Sequence, residues 1–405
     1  MTQSTLPQEL IESIIDELGH EDDTEALKQC SLVSRAFVYQ SQRYLFRAID
    51  LDRRLPRKKY YQRFHRLIGT RPHIGEHVRE LRLGDNGEDD FDGSDVSWIS
   101  STKTLPHSLQ LLPRLESFSL TFNSELTPWK SLPADLRSSI GRLFRLPTLH
   151  TVALEFITAF PPQLLMSLGQ MRTLSLSCVE VDPMAPLPAD TEYMQSRWGM
   201  ALENLFLRGT SPATISVIAS ALGSATSPTL RRLTVTPTFE SGFSDAIGEL
   251  IKQSGENLKT FEWLPSIHFA SSAGPIYLAS LPHLRSLRFA VSFRRTHANG
   301  PFPEVLRLLG QLSHEPNSIE SIIIDCHCVR VGDKIATEWR PLDKVLSKPA
   351  FDALKQIRVR LSTSTTSAME RHKFTLAFQD LLPMLQSKGT EISVMTLADI
   401  PAWCE

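Results

Sequence analysis

The chain has little that reacts, little that inserts into lipid and little net charge. No apolar run reaches the roughly 18 residues that suggest a membrane span. The start, Met-Thr-Gln-Ser-Thr-Leu-Pro, lacks the basic-then-apolar order of a signal peptide. No Asn-x-Ser/Thr acceptor occurs, as expected for a chain that never meets the secretory pathway. Five cysteines, without a Cys-x-x-Cys pair, make neither a disulfide framework nor a zinc ribbon. Reduced thiols and a cytoplasmic or nuclear location are expected. A formal net charge of −2 lacks the basic excess of a generic nucleic-acid binder. The P-loop, the dinucleotide glycine pattern, His-Glu-x-x-His and Gly-x-Ser-x-Gly are all missing, so no residue is assigned as catalytic and no cofactor is implied.

What the chain does have is a repeat. An apolar residue, two variable residues, an apolar residue, one variable residue and another apolar residue recur eleven times. The units are Val78-Leu81-Leu83, Leu115-Phe118-Leu120, Leu149-Val152-Leu154, Met171-Leu174-Leu176, Leu202-Leu205-Leu207 and Leu230-Leu233-Val235. Leu258-Phe261-Trp263, Leu284-Leu287-Phe289, Ile319-Ile322-Ile324, Leu354-Ile357-Val359 and Ile392-Met395-Leu397 complete the series. The pattern resembles a leucine-rich repeat: a short strand with two inward apolar side chains, then a return segment. No unit buries its own apolar face, so stacked neighbours must share a core. At 405 residues the chain exceeds one compact core in any case. A curved solenoid with a mainly parallel sheet over residues 67–397 is expected, with its paired apolar side chains almost fully buried. The family's Asn or Cys three residues after the last apolar position is met by Asn86 and Asn123. Later units offer Thr210, Thr238, Ser266, Ser292 and Ser362 instead.

Residues 6–50 carry no such unit and have a helical period. Ile11, Ile14, Ile15 and Leu18 fall on one face of a helix whose first position suits Pro7 and which Gly19 is expected to end. Asp22 and Glu25 have capping-box spacing for a second helix through Leu27, Cys30 and Val33. A third helical segment spans Arg35 to Phe46. Three short helices cannot cover this much apolar surface by themselves. The string Leu6-Pro7-x-Glu9-Leu10, Ile14-Ile15-x-x-Leu18 and Leu27-x-x-Cys30-Ser31-Leu32-Val33-Ser34-Arg35-x-Phe37 resembles an F-box. Ser41-Gln42-Arg43-Tyr44-Leu45-Phe46-Arg47 continues it in the style of fungal members of that family. The resemblance implies binding of a Skp-type adaptor and, through it, a cullin. It also implies that Leu6, Pro7, Leu10, Ile14, Ile15, Leu18, Leu27, Leu32, Val33 and Phe37 form the apolar adaptor-facing and core surface. Phe37 stands where many members have Trp and lacks the indole N–H.

The expected organisation is therefore an α/β chain: an F-box helical domain at 1–50, a basic linker or first return helix at 51–66, and the solenoid at 67–405. Amphipathic return helices are expected from Ser211-Pro212 through Leu222 and from Phe243 to Gly255. A third should open at Pro303 and run through Leu312. A fourth, with Phe374, Ala377, Phe378, Leu381 and Leu382, should kink or end at Pro383. The step from Leu149 to Met171 is too short for a full helix. Residues 84–97, with six acids and three glycines, read as a solvated loop, and residues 362–368 as another.

Three clusters invite chemistry. Cys326-His327-Cys328 alternates on a strand, with both thiols on one side, and reads better as buried thiols than as a zinc site. Glu88, Asp90, Asp92 and Gly93 start like a calcium loop, but Ile99 occupies the position of the bidentate Glu. The basic run with Tyr60, Tyr61 and Phe64 suits a helix packed on the first repeat better than a base-stacking surface. No metal and no nucleic acid are expected. Residues between and beside the inward pairs should line the concave face, where Phe206, Arg208, Arg232, Glu262 and Arg288 form an unusual patch across four units. They either hold a protein target or are used up internally, with the arginines paired to Glu155, Glu262 and Asp325. The expected function is substrate recognition for a cullin–RING ubiquitin ligase, with the transfer chemistry in other subunits. A leucine-rich scaffold or inhibitor that engages no ligase, and a hydrolase with a pocket in the solenoid, remain open alternatives.

Overall fold

The computed structural model describes residues 7–52, 57–85, 97–122, 126–168, 171–182, 201–223, 229–238, 240–265, 276–278, 281–292, 302–327, 335–362 and 381–396. Thirteen strands and fourteen helices of the α type lie within them. The chain divides into two compact units, Met1–Thr173 with Asp182–Leu187, and Leu174–Val181 with Pro188–Glu405. In each the paired strands run parallel and the sheet stays open. No helix among the described residues is long and apolar enough to cross a membrane.

The first unit begins with three helices, α1 (Gln8–His20), α2 (Thr24–Val33) and α3 (Arg35–Leu45). Three details differ from the sequence reading. Pro7 is the N-cap of α1 rather than its first residue. Gly19 does not end α1: a Cβ there would lie 2.3 Å from the Tyr44 ring, so the glycine lets α3 approach. The cap of α2 is Asp23, whose side chain accepts from the Ala26 amide. Asp22 before it takes a left-handed turn, at positive φ. The Asp16 carboxylate ties α1 to α3, accepting from Gln40 Nε2 at 2.6 Å and from the Tyr44 hydroxyl at 2.9 Å. Burial, and then the Asp16 carboxylate, push the Tyr44 hydroxyl above its ordinary pKa.

Strand β1 (Ala48–Asp50) follows within the segment read as helical. It pairs with β2 (Glu80–Gly84), Ile49 opposite Leu81. Phe46-x-x-Ile49-x-Leu51 thus matches the repeat spacing, hidden because it adjoins the segment of helical period. Helix α4 (Arg57–Thr70) is its return segment. Tyr61, Phe64 and Ile68 are buried, and Lys58, Lys59, Arg63 and Arg66 stay wet. Then β3 (Ser117–Thr121) and β5 (Thr151–Phe160) extend the sheet, with the short β4 (Thr127–Pro128) paired to β5. Phe156 and Ala159, both at positive φ, break the regular course of β5. The short step after it holds only a five-residue helix, Pro162–Met166.

In the second unit the order is β6 (Thr173–Val181), β7 (Asn204–Arg208), β8 (Arg232–Thr236), β9 (Thr260–Trp263), β10 (Ser286–Ser292), β11 (Ser321–His327), β12 (Gln356–Ser362) and β13 (Glu391–Thr396). Leu205, Leu233, Phe261, Leu287, Ile322 and Ile357 form one register row, and Leu207, Val235, Trp263, Phe289, Ile324 and Val359 another. All twelve are buried to 1% exposure or less, and Leu81 and Leu83 of the first unit to 2% or less. The last strand is a correction: Ile392 and Val394, not Met395 and Leu397, stand in these rows. Met395 is 43% exposed, and Leu397 lies outside the described residues. The correct unit opens at Gly389, which has no side chain to mark the period.

Return helices Pro212–Gly223, Phe243–Ser254 and Pro303–Leu312 form where the amphipathic spacing places them, with the expected apolar faces buried. The Ser211 hydroxyl accepts from the Thr214 amide at 3.3 Å, as a cap should. Pro383 opens a helix, Pro383–Ser387, and the helix expected before it lies almost wholly outside the described residues. Phe374, Ala377 and Phe378 lie outside the described residues, as do Asn86, Asn123, Ser266, Glu88, Asp90, Asp92, Gly93 and most of the loops at 84–97 and 362–368. Thr210 ties its turn to the one before: its buried hydroxyl donates to the Leu176 carbonyl at 3.0 Å. Thr148 and Thr229, four residues before an inward position, do the same for Leu115 and Leu202.

Candidate functional site

Two surfaces stand out, one in each unit. The first is apolar. Nine large apolar or aromatic side chains are notably exposed among the described residues, and five of them, Leu10, Ile14, Leu32, Val33 and Tyr39, belong to α1–α3. Leu32 and Val33, at the end of α2, are 79% and 71% exposed. Leu10 and Ile14 sit one turn apart on α1, so they share a face. The α1–α3 side chains expected at an adaptor surface therefore divide by position. Ile15 and Leu27 are buried between the helices, Leu18 and Phe37 are half-buried, and Pro7, Leu10, Ile14, Leu32 and Val33 face solvent. Leu6 lies outside the described residues. Tyr39 escaped sequence reading because it lies off the apolar stripe of α3; its ring meets His77 edge-on, with centroids 5.0 Å apart.

The second surface is charged and lies on the sheet face opposite the buried pairs. Arg232, Glu262, Arg288, Asp325 and Arg360 form a continuous ladder over β8 to β12. Arg232 Nη2 donates to Glu262 Oε1 at 2.5 Å, and Thr234 Oγ1 donates to Glu262 Oε2 at 3.1 Å. Arg288 bridges the two acids, Nη1 to Glu262 Oε2 at 3.4 Å and Nε to Asp325 Oδ2 at 2.7 Å. Arg360 closes the ladder with a fork on Asp325, Nε to Oδ1 at 2.5 Å and Nη2 to Oδ2 at 2.6 Å, the strong bidentate form of such a contact. Both carboxylates are only 4% exposed, so each depends on its two arginines for compensation. Phe206 on β7 lies beneath this end, its ring 5.5 Å from the Arg232 guanidinium, within cation–π range.

Of the five residues proposed from sequence to hold a target, the structure brings Phe206, Arg232, Glu262 and Arg288 together. Arg208 stands exposed at the end of β7. The internal-pairing reading holds for Arg232 and Arg288, which take Glu262 and Asp325. Arg360 and Thr234 were missed. Their signal was present: both flank or separate inward residues, as the patch residues do. Exposed Arg358 adds positive charge on the same face.

Cys326 is fully buried, and burial pushes its thiol well above the ordinary range. It faces inward while His327 shares the opposite face with Asp325, as strand alternation requires; Cys328 lies outside the described residues. Among the described residues no group of three or more His, Cys, Asp or Glu side chains could hold a metal ion. Ile99 is buried in the short helix Trp98–Ser101.

No protein-family model matches the chain, and no curated protein matches it either.

Proposed function

We propose that the chain is a substrate-recognition subunit of a cullin–RING ubiquitin ligase, in which the N-terminal helices bind a Skp-type adaptor and the repeat region holds a protein target. The observation that carries this reading is the exposure of Leu10, Ile14, Leu32 and Val33 on a three-helix segment whose sequence resembles an F-box. Solvent-exposed apolar side chains clustered on so small a unit are the mark of a protein partner rather than of a free surface. The chain then acts by proximity, holding a target near transfer chemistry that resides in other subunits. No cofactor and no nucleic acid enter this function, and a cytoplasmic or nuclear setting suits it. On the target side, the outward residues of β7 and β8, with Phe206, Arg208 and Arg232, offer the aromatic and guanidinium groups enriched at binding hot spots.

The test is affinity capture from cells of the intact chain and of a Leu32→Asp, Val33→Asp variant. The intact chain should bring down a Skp-type adaptor and a cullin, and the variant should lose both while keeping its fold. Capture of target proteins without adaptor or cullin would replace this function with that of a leucine-rich scaffold.

A further inference from the structure

A cleft of about 220 Å³ opens in the first unit where the end of α3, strand β1 and helix α4 meet. Leu45, Phe46, Ile49, Leu51, Phe64 and Leu67 give it an apolar wall, and Ala48, Asp50, Tyr60 and Arg63 complete the lining. Roughly 150 Å³ suffices for a benzene ring in an apolar cavity, so one leucine or aromatic side chain would fit.

Two further features meet at this cleft. One is a strand edge. Among the described residues β1 stands at the end of the strand order, with only β2 beside it. The Arg47 carbonyl and the Leu51 amide point toward β2, so alternation turns the N–H and C=O of Ala48 the other way. Ala48 is exposed. The other feature is an excess of positive charge, with Asp50 the one acid in the cleft lining. Helix α4 holds five Lys or Arg residues and no acid. Lys58, Lys59, Arg63, Arg66 and the neighbouring Arg47 are all exposed, and none is ion-paired among the described residues. Two of the three aromatic rings of α4, Tyr61 and Phe64, are buried at 1% and 8% exposure, which favours a peptide over base stacking.

We propose that this place is a docking site for an extended acidic segment of a partner protein. The segment adds a strand beside β1 through the backbone of Ala48, places one leucine or aromatic side chain in the cleft, and sets its carboxylates against Lys59, Arg63 and Arg47. None of Leu10, Ile14, Leu32 and Val33 lines the cleft, so the site is additional to the adaptor surface and stands whether or not an adaptor binds.

The experiment uses the full chain and a fluorescent nine-residue peptide of Asp and Glu with one central Phe, read by anisotropy at low and physiological salt. Binding should weaken with salt. It should fall about tenfold or more when the peptide's Phe becomes Gly, or when Lys59→Glu and Arg63→Glu are combined in the protein, on the order of 1.4 kcal/mol. Ala48→Pro should have a similar effect while leaving the internal ladder intact, because its N–H faces outward. Far-UV circular dichroism and adaptor capture, run in parallel, show that the variants are folded. No binding up to about 1 mM peptide overturns the proposal. So does binding that survives the double charge reversal, or displacement of the peptide by a single-stranded oligonucleotide at lower concentration.

Discussion

The Nε of Arg288 donates to Oδ2 of Asp325 at 2.7 Å, across adjacent parallel strands, and the acceptor is almost fully buried. Asp325 is also forked by Arg360, so one carboxylate compensates two guanidinium groups. Replacing Asp325 with Ala strands Arg360 and leaves Arg288 only its longer contact with Glu262. The expected loss is roughly 2–4 kcal/mol, below the full cost of breaking a buried pair because both arginines keep some water contact. Glu304→Ala, which removes an i,i+3 pair with Arg307 at the start of a return helix, should cost about 0.5 kcal/mol. Urea unfolding of the two variants separates these values, and a loss under about 0.5 kcal/mol at Asp325 would show that the ladder is ornamental to stability.

Leu205→Ala removes a fully buried inward side chain and should cost roughly 2–5 kcal/mol. Met395, which the sequence period placed at an equivalent inward position, faces solvent instead. Met395→Ala should therefore stay within about 0.5 kcal/mol of the parent. Equal losses at the two positions would restore the register that the last strand rejects.

Those two residues show what could be read from sequence and what could not. Ten of the eleven units were legible because a two-residue alternation with both positions buried leaves large apolar side chains in both places. The eleventh slipped because its opener is Gly389 and two other apolar residues, Met395 and Leu397, offered a competing match. The first strand escaped for a different reason, since Ile49 and Leu51 directly follow three helices whose period dominates that stretch. On the surfaces, local pattern identified the patch residues but not their partners. That Arg360 shares Asp325 with Arg288 depends on which strands are neighbours and in what register. Likewise, helical period grouped Ile14, Ile15 and Leu18, but only packing divides buried Ile15 from exposed Ile14.

Acid should weaken the fold through two histidines. Burial holds the imidazoles of His77 and His327 below the ordinary value of 6.5, with the His73 and Arg79 charges adding to the effect at His77. For each, the unfolded chain binds a proton more readily than the folded one. The stability tied to the neutral ring is thus present above about pH 6.5 and is lost as pH falls below it toward the folded value. The urea midpoint should drop from pH 7.5 to pH 5.5, and His77→Phe, which keeps an aromatic ring against Tyr39, should reduce that drop. An unchanged slope in the variant would assign the acid sensitivity to other groups.

Phe206→Ala with Arg232→Ala tests the target surface. Arg232 is engaged by Glu262 and by the Phe206 ring, yet retains outward exposure. The double variant should lower capture of the target about tenfold or more, on the order of 1.4 kcal/mol, with adaptor capture unchanged. Undiminished target capture would confine both residues to an internal role.

The most direct measurement is a calorimetric titration of a purified Skp-type adaptor into the intact chain, repeated with Leu32→Asp, Val33→Asp. One adaptor should bind per chain, and the variant should lose at least about tenfold in affinity, on the order of 1.4 kcal/mol. Thermal unfolding should be unchanged, because both side chains are exposed in the free protein. No binding by the intact chain, or equal binding by the two proteins, would contradict the proposed function.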